Sequence, residues 1–138
     1  MWLFKKHLKG SGKDEIRKKR IDEIKEAETK SLDKALELAT RYIEDFKEKD
    51  PSGEAECNFL AGRMIALHYR ENIALTDYNK AKEHLNRSIQ TYQSMEEKKK
   101  RERETRIKKA VVLFVLANLE AFANRFEEAS ETCRKSFG

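Results

Sequence analysis

Asp50-Pro51-Ser52-Gly53 is the run that most limits how this chain can fold. Proline lacks the amide that a helix interior needs, but it fits in a first helical turn. The run therefore predicts that one helix ends before Asp50, the chain turns tightly, and a new helix runs from about Glu54 to Asn72. Ala61-Gly62 then falls on the apolar face of that helix, where small residues let a neighbouring backbone come close. A second stretch has the same pattern: Leu113, Leu116, Ala117 and Ala121, followed by Asn124-Arg125-Phe126-Glu127-Glu128-Ala129. It predicts a helix closing near Asn124, another opening at Phe126, and Ala117 and Ala129 buried where the two meet.

The rest of the chain is punctuated in the same helical idiom. Ile16, Ile21 and Ile24 mark one side of a helix from Lys13 to about Thr29. Ser31 is a natural N-cap for a helix to Lys49. Its stripe of Leu32, Ala35, Leu36, Ala39, Ile43 and Phe46 keeps three- and four-residue spacing. One long helix through Lys30 is the alternative. Phe59, Met64, Ile65 and Leu67 mark the helix after the proline. Asp77 suits the cap of the next, which carries Tyr78, Ala81, Leu85, Ile89 and Tyr92. No alternating β-branched run reads as a strand. A length of 138 residues suits one domain, and 40% charged residues with a single proline suits helices. The fold class expected is all-α, with about five to six helices.

The paired small residues and the Asp-Pro turn resemble the tetratricopeptide repeat (TPR) family over about Leu32 to Phe137. The resemblance implies antiparallel helix pairs stacked as a solenoid over residues 13–138. It also implies a protein-binding groove lined by the first helix of each pair, here by Phe59, Arg63, Leu67, Phe114, Asn118 and Phe122. Some members of that family hold a ligand's terminal carboxylate with groove Lys and Asn side chains. This chain has Asn118 but carries Phe114 where the Lys would stand, so the groove suits an apolar or amphipathic segment better. Aromatics at helical spacing also suit plain core packing.

Residues 1–12 differ from the rest. Trp2, Leu3, Phe4 and Leu8 are apolar and Lys5, Lys6, His7 and Lys9 polar or basic, a short basic amphipath as a helix, and Gly10-Ser11-Gly12 follows, a flexible linker by composition. Three readings fit: a fused docking peptide tethered to its groove, a membrane-surface segment, or a frayed end. A docked peptide would reach either Ile16, Ile21, Leu32 and Leu36 nearby or the aromatic groove of a second molecule.

Function classes narrow by what the residues lack. His7, His68 and His84 have no metal-ligand spacing with each other or with Cys57 and Cys133. No Gly-rich phosphate loop occurs, so no enzyme activity, cofactor or metal is expected. The basic runs Arg17–Arg20 and Lys98–Arg101 are interleaved with acids and lack aromatics to stack bases. They leave nucleic-acid or membrane-surface association as an alternative. Glu96 to Lys109 reads as a solvated helical extension without a heptad seam, and a structural oligomerisation module is the third class. Two distant cysteines on apolar helix faces indicate buried thiols in an intracellular, cytoplasmic setting. The expectation is a non-catalytic adaptor that binds a protein or peptide, with self-association through the N-terminal peptide.

Overall fold

A computed structural model describes the backbone of residues 2–73 and 75–137 and the side chains of residues 12–73, 75–128, 131 and 134. Those residues form five helices and no strand: α1 (Trp2–Lys30), α2 (Leu32–Phe46), α3 (Pro51–Asn72), α4 (Leu75–Glu97) and α5 (Glu102–Phe137). Each helix packs on the next in sequence. α3 also touches both α1 and α5, whereas α2 and α4 make no contact among the described residues.

The α1–α2 boundary lies at Ser31, whose Oγ accepts the Lys34 amide at 3.4 Å. The stripe expected for α2 is the observed one, with Ala35, Ala39, Ile43 and Phe46 buried and Leu32 and Leu36 packed beside them. α3 begins at Pro51 itself. Its face toward α2 carries Gly53, where an added Cβ would meet the Phe46 ring at 2.8 Å. Its face toward α4 carries Gly62, where an added Cβ would lie 2.8 Å from Leu85 and 3.2 Å from the Ala81 carbonyl. Ala81 is fully buried, so the small residues on α3 and α4 do mark a close backbone approach.

α3 is the central helix. It has no single apolar stripe because it is covered on several sides, as a helix apolar all round should be. Cys57, Leu60, Ala61 and Met64 join Ile21, Ile24 and the α2 stripe in one cluster. Ile65, Ala66 and Tyr69 join Leu85, Tyr92, Val112, Leu119 and Ala123 in a second. Ser88 is buried between α3 and α4 and donates to the Ala55 carbonyl at 2.7 Å. Asp50 is buried too, and Arg17 of α1 donates to its two oxygens at 2.7 and 2.8 Å.

Four expectations are corrected. First, α5 does not close at Asn124. It continues unbroken to Phe137, because Ala121 to Ala129 holds no Gly or Pro and every residue there is tolerated in a helix. Second, Ala117 is exposed rather than buried, since no following helix folds back on it; the Ala129 side chain lies outside the described residues. Third, Glu96–Lys109 is not one helical extension. α4 ends at Glu97, and Lys99 takes φ 56 while its amide bonds the Glu96 carbonyl and that of Lys100 bonds the Met95 carbonyl. That is a Schellman closure with lysine where glycine is usual. Fourth, Gly10-Ser11-Gly12 lies inside α1 instead of breaking it. The side chains of Trp2, Leu3, Phe4 and Leu8 lie outside the described residues, as does that of Cys133.

Candidate interaction surface

α3 and α5 run beside each other and leave a cleft of about 180 Å³ between them. Its floor is Ala66 and Leu67 from α3 with Val115 and Leu119 from α5, and its polar rim is Arg63, Arg70 and Asn118. Helix geometry sets this arrangement. Arg63, Leu67 and Arg70 follow one another at four and three residues, so they share one side of α3. Val115, Asn118 and Phe122 do the same on α5.

Each rim group is held differently. The Arg63 Nη2 donates to Glu28 of α1 at 2.6 Å, whereas its Nε–H is buried with no acceptor. A buried donor without a partner is costly, and a ligand oxygen at that point would relieve it. The Arg70 guanidinium lies 5.1 Å from the Phe122 ring centroid, a cation–π distance. Phe122 in turn meets Tyr69 edge-on, with centroids 5.7 Å apart, and Tyr69 meets Tyr78 at 5.4 Å. Burial raises the Tyr69 hydroxyl above the ordinary tyrosine range. Asn118 is exposed.

Three of the six expected groove residues, Arg63, Leu67 and Asn118, therefore meet at one cleft. Phe59 is half-buried and packs against both core clusters. Phe122 is half-buried in the aromatic contact below Arg70. Phe114 is 69% exposed and stands apart from the cleft. Arg70 and Val115 are lining residues that the family pattern did not point to. The three- and four-residue spacing from Arg63 and from Asn118 was the available signal for both.

A larger cleft, of about 370 Å³, lies between the N-terminal half of α1, the start of α3 and the α4–α5 turn. Both of its carboxylates are paired with arginines, and Lys13 and Lys100 also line it. Arg17 bridges Asp50 and Asp14, and Asp14 accepts from Arg101 at 3.2 Å. The Arg101 hydrogen bond holds the Asp14 carboxyl below its usual range. Burial opposes the charge on Arg17, but the hydrogen bonds it donates to Asp50, together with the charges of Asp50, Asp14 and Glu56, outweigh burial, and its proton is held more tightly than usual. This cleft is a clasp joining α1, α3 and the α4–α5 turn, so the basic run Lys98–Arg101 serves a turn rather than an open helix face.

Elsewhere, the His84 Nδ1 lies 2.9 Å from Asn58 Oδ1 between α3 and α4, and His68 pairs with Asp77 at 2.8 Å. Burial pushes the Cys57 thiol up to about 12, which leaves it unreactive. No group of three metal-ligating side chains converges among the described residues, and no described helix is long and apolar enough to cross a membrane. Compared with protein-family models, with curated proteins and with solved structures, the chain matches none.

Proposed function

We propose that this protein is a non-catalytic adaptor, a TPR-like stack of helix pairs that binds a short amphipathic segment of a partner protein in the α3–α5 cleft. The cleft carries the reading: an apolar floor of Leu67, Val115 and Leu119 sits beneath two guanidiniums and a carboxamide. Such a lining suits a Leu or Phe side chain next to a carboxylate or a backbone carbonyl. The order of helix contacts supports the stack. α3 touches α1 on one flank and α5 on the other, and α2 and α4 bridge successive pairs without touching each other among the described residues. A closed four-helix bundle would instead bring its first and fourth helices together.

Selection of displayed random peptides on the intact protein tests this. The enriched sequences should place Asp or Glu within a helical turn of Leu or Phe. Their binding should fall at least about tenfold on Leu67→Glu, which puts like charge and a polar group on the floor. Selected peptides that bind Leu67→Glu as well as the native protein would remove the α3–α5 cleft from consideration.

A further inference from the structure

The face of α5 turned away from α3 and α4 is apolar at its centre and uncovered. Leu113 is 44% exposed, Phe114 is 69% exposed, and Ala110, Ala117 and Ala121 are exposed between and beside them. Among the described residues, α4 reaches this side at the N-terminal end of α5, where Glu96 lies 3.3 Å from the Arg106 Nε; the positions of this side from Ala110 to Ala121 are exposed. The positions along its midline are Arg106, Ala110, Leu113, Ala117, Ala121 and Asn124. Steps of four, three and four residues lead from Arg106 to Ala117. Steps of four, three and four also lead away from Ala117 to Glu128. The seam is a spatial palindrome centred on Ala117.

The chemistry is mirrored as well. One more step of three in each direction ends on Arg103 and on Glu131, both exposed. The half of the seam before Ala117 is basic at its end, and the half after it is acidic. An isologous two-fold contact requires that one half of a surface complement the other half of the same surface. A second copy laid antiparallel on this seam meets that demand at its ends, where Arg103 and Glu131 are exposed, and at its small-residue centre. Arg103 would then face Glu131 of the other copy, Leu113 would face Ala121, and Ala110 would face Asn124. Ala117 would meet its own counterpart on the axis, where the backbones come closest and a small side chain is required. Phe114 would lie beside the axis over Ala117 and Ala121 of the other copy.

From this geometry we propose that the protein forms an antiparallel homodimer through α5, with a two-fold axis at Ala117. The paired seam runs about 42 Å, from the 1.5 Å rise per residue between Arg103 and Glu131. It leaves the α3–α5 cleft of each copy open. The dimer would therefore present two peptide sites, and tethered partners would gain avidity.

The test uses the full chain. In a Cys133→Ser background, Ala117→Cys places one thiol per copy on the axis, while buried Cys57 does not compete. Mild oxidation should cross-link A117C much faster than R125C, whose exposed position lies off the seam. Mass measured by light scattering across a dilution series should fall from dimer to monomer. Arg103→Glu should weaken the dimer about fivefold at low salt, and adding Glu131→Arg should restore it, since reversed pairs attract again. Ala117→Arg should abolish the dimer with an unchanged helical spectrum, because the site is exposed in the single chain. A monomer at every concentration would overturn the proposal, as would equal cross-linking of A117C and R125C. So would a dimer indifferent to Ala117→Arg, whose contacts would lie elsewhere. None of these outcomes bears on peptide binding at Leu67.

Discussion

α3 and α5 are built from similar residues and have opposite surroundings. α3 is enclosed by α2 and α4, with α1 and α5 beside it, and Ala61, Gly62, Met64 and Ala66 have almost no contact with solvent. α5 meets α4 on one side and touches α3, and among its described residues Ala110, Leu113, Phe114, Ala117 and Ala121 are exposed. A small residue in α3 is a contact; a small residue in α5 is a surface. Ala61-Gly62 and Ala117 look alike in the sequence, yet only the first pair is compressed by a neighbour. Small-residue spacing marks a helix able to accept a partner, while burial records whether a partner is supplied by the same chain.

The largest effect expected lies on the enclosed side. Asp50 is 4% exposed, and Arg17 supplies both of its hydrogen bonds from a side chain that is itself mostly covered. Arg17→Ala leaves that carboxylate buried and unpaired, which should cost about 3–5 kcal/mol in denaturant unfolding. A loss below about 1 kcal/mol would mean that water reaches Asp50 freely, and the clasp would then be a surface feature. The exposed pair of Arg87 with Glu83 on α4 gives the contrast, since such pairs contribute roughly 0–1 kcal/mol.

The comparison is sharpest between Gly62→Val and Ala117→Leu. The first forces branched carbons against Leu85 and the Ala81 carbonyl, and the backbone cannot yield as a side chain can. Overpacking there should cost roughly 1–3 kcal/mol, even after the gain in helix propensity over glycine. The second adds an apolar side chain to an open face and should leave monomer stability within about 0.5 kcal/mol at high dilution. Equal losses from the two would show that α5 is covered within the single chain.

Much of the enclosed side was legible in the sequence, and the reason is local. Ser31 carries a cap hydroxyl, Pro51 cannot sit mid-helix, and the α2 stripe repeats at one helical period. The α5 side was misread because its decisive features carry no such marks. The turn after α4 places Lys99 and Arg101 at positive φ, where Gly or Asn would have been recognisable. A charge signal was present: Lys98 to Arg101 follow a helix C-terminus, and Glu102 and Glu104 open the next helix, as the helix dipole favours at both ends. In the cleft, Arg63, Leu67 and Asn118 are residues that the repeat resemblance pointed to. The outward position of Phe114 was not legible, because it depends on how α5 is rotated against α3 and α4.

The smallest effect expected separates the two sides by pH. His84 sits between α3 and α4 against Asn58, and burial chiefly, with Arg87 nearby, pulls its pKa below the ordinary value of 6.5. Above that ordinary value the ring is neutral folded or unfolded, and its contribution to stability is complete. As pH falls through it, the unfolded chain takes up a proton that the folded chain resists, so stability declines toward the lowered folded value. The attachment of α5 titrates elsewhere. The Lys109 hydrogen bond holds Glu96 below its usual 4.5, and the Arg101 hydrogen bond holds Asp14 below its usual 3.8. Those contributions are complete above the ordinary carboxylate values and are lost only in stronger acid. Between about pH 7.5 and pH 5.5, the native melting temperature should therefore fall more than that of His84→Gln, which keeps a donor to Asn58 without a titrating ring. Parallel curves in that interval would place His84 in solvent and open the α3–α4 contact at that point.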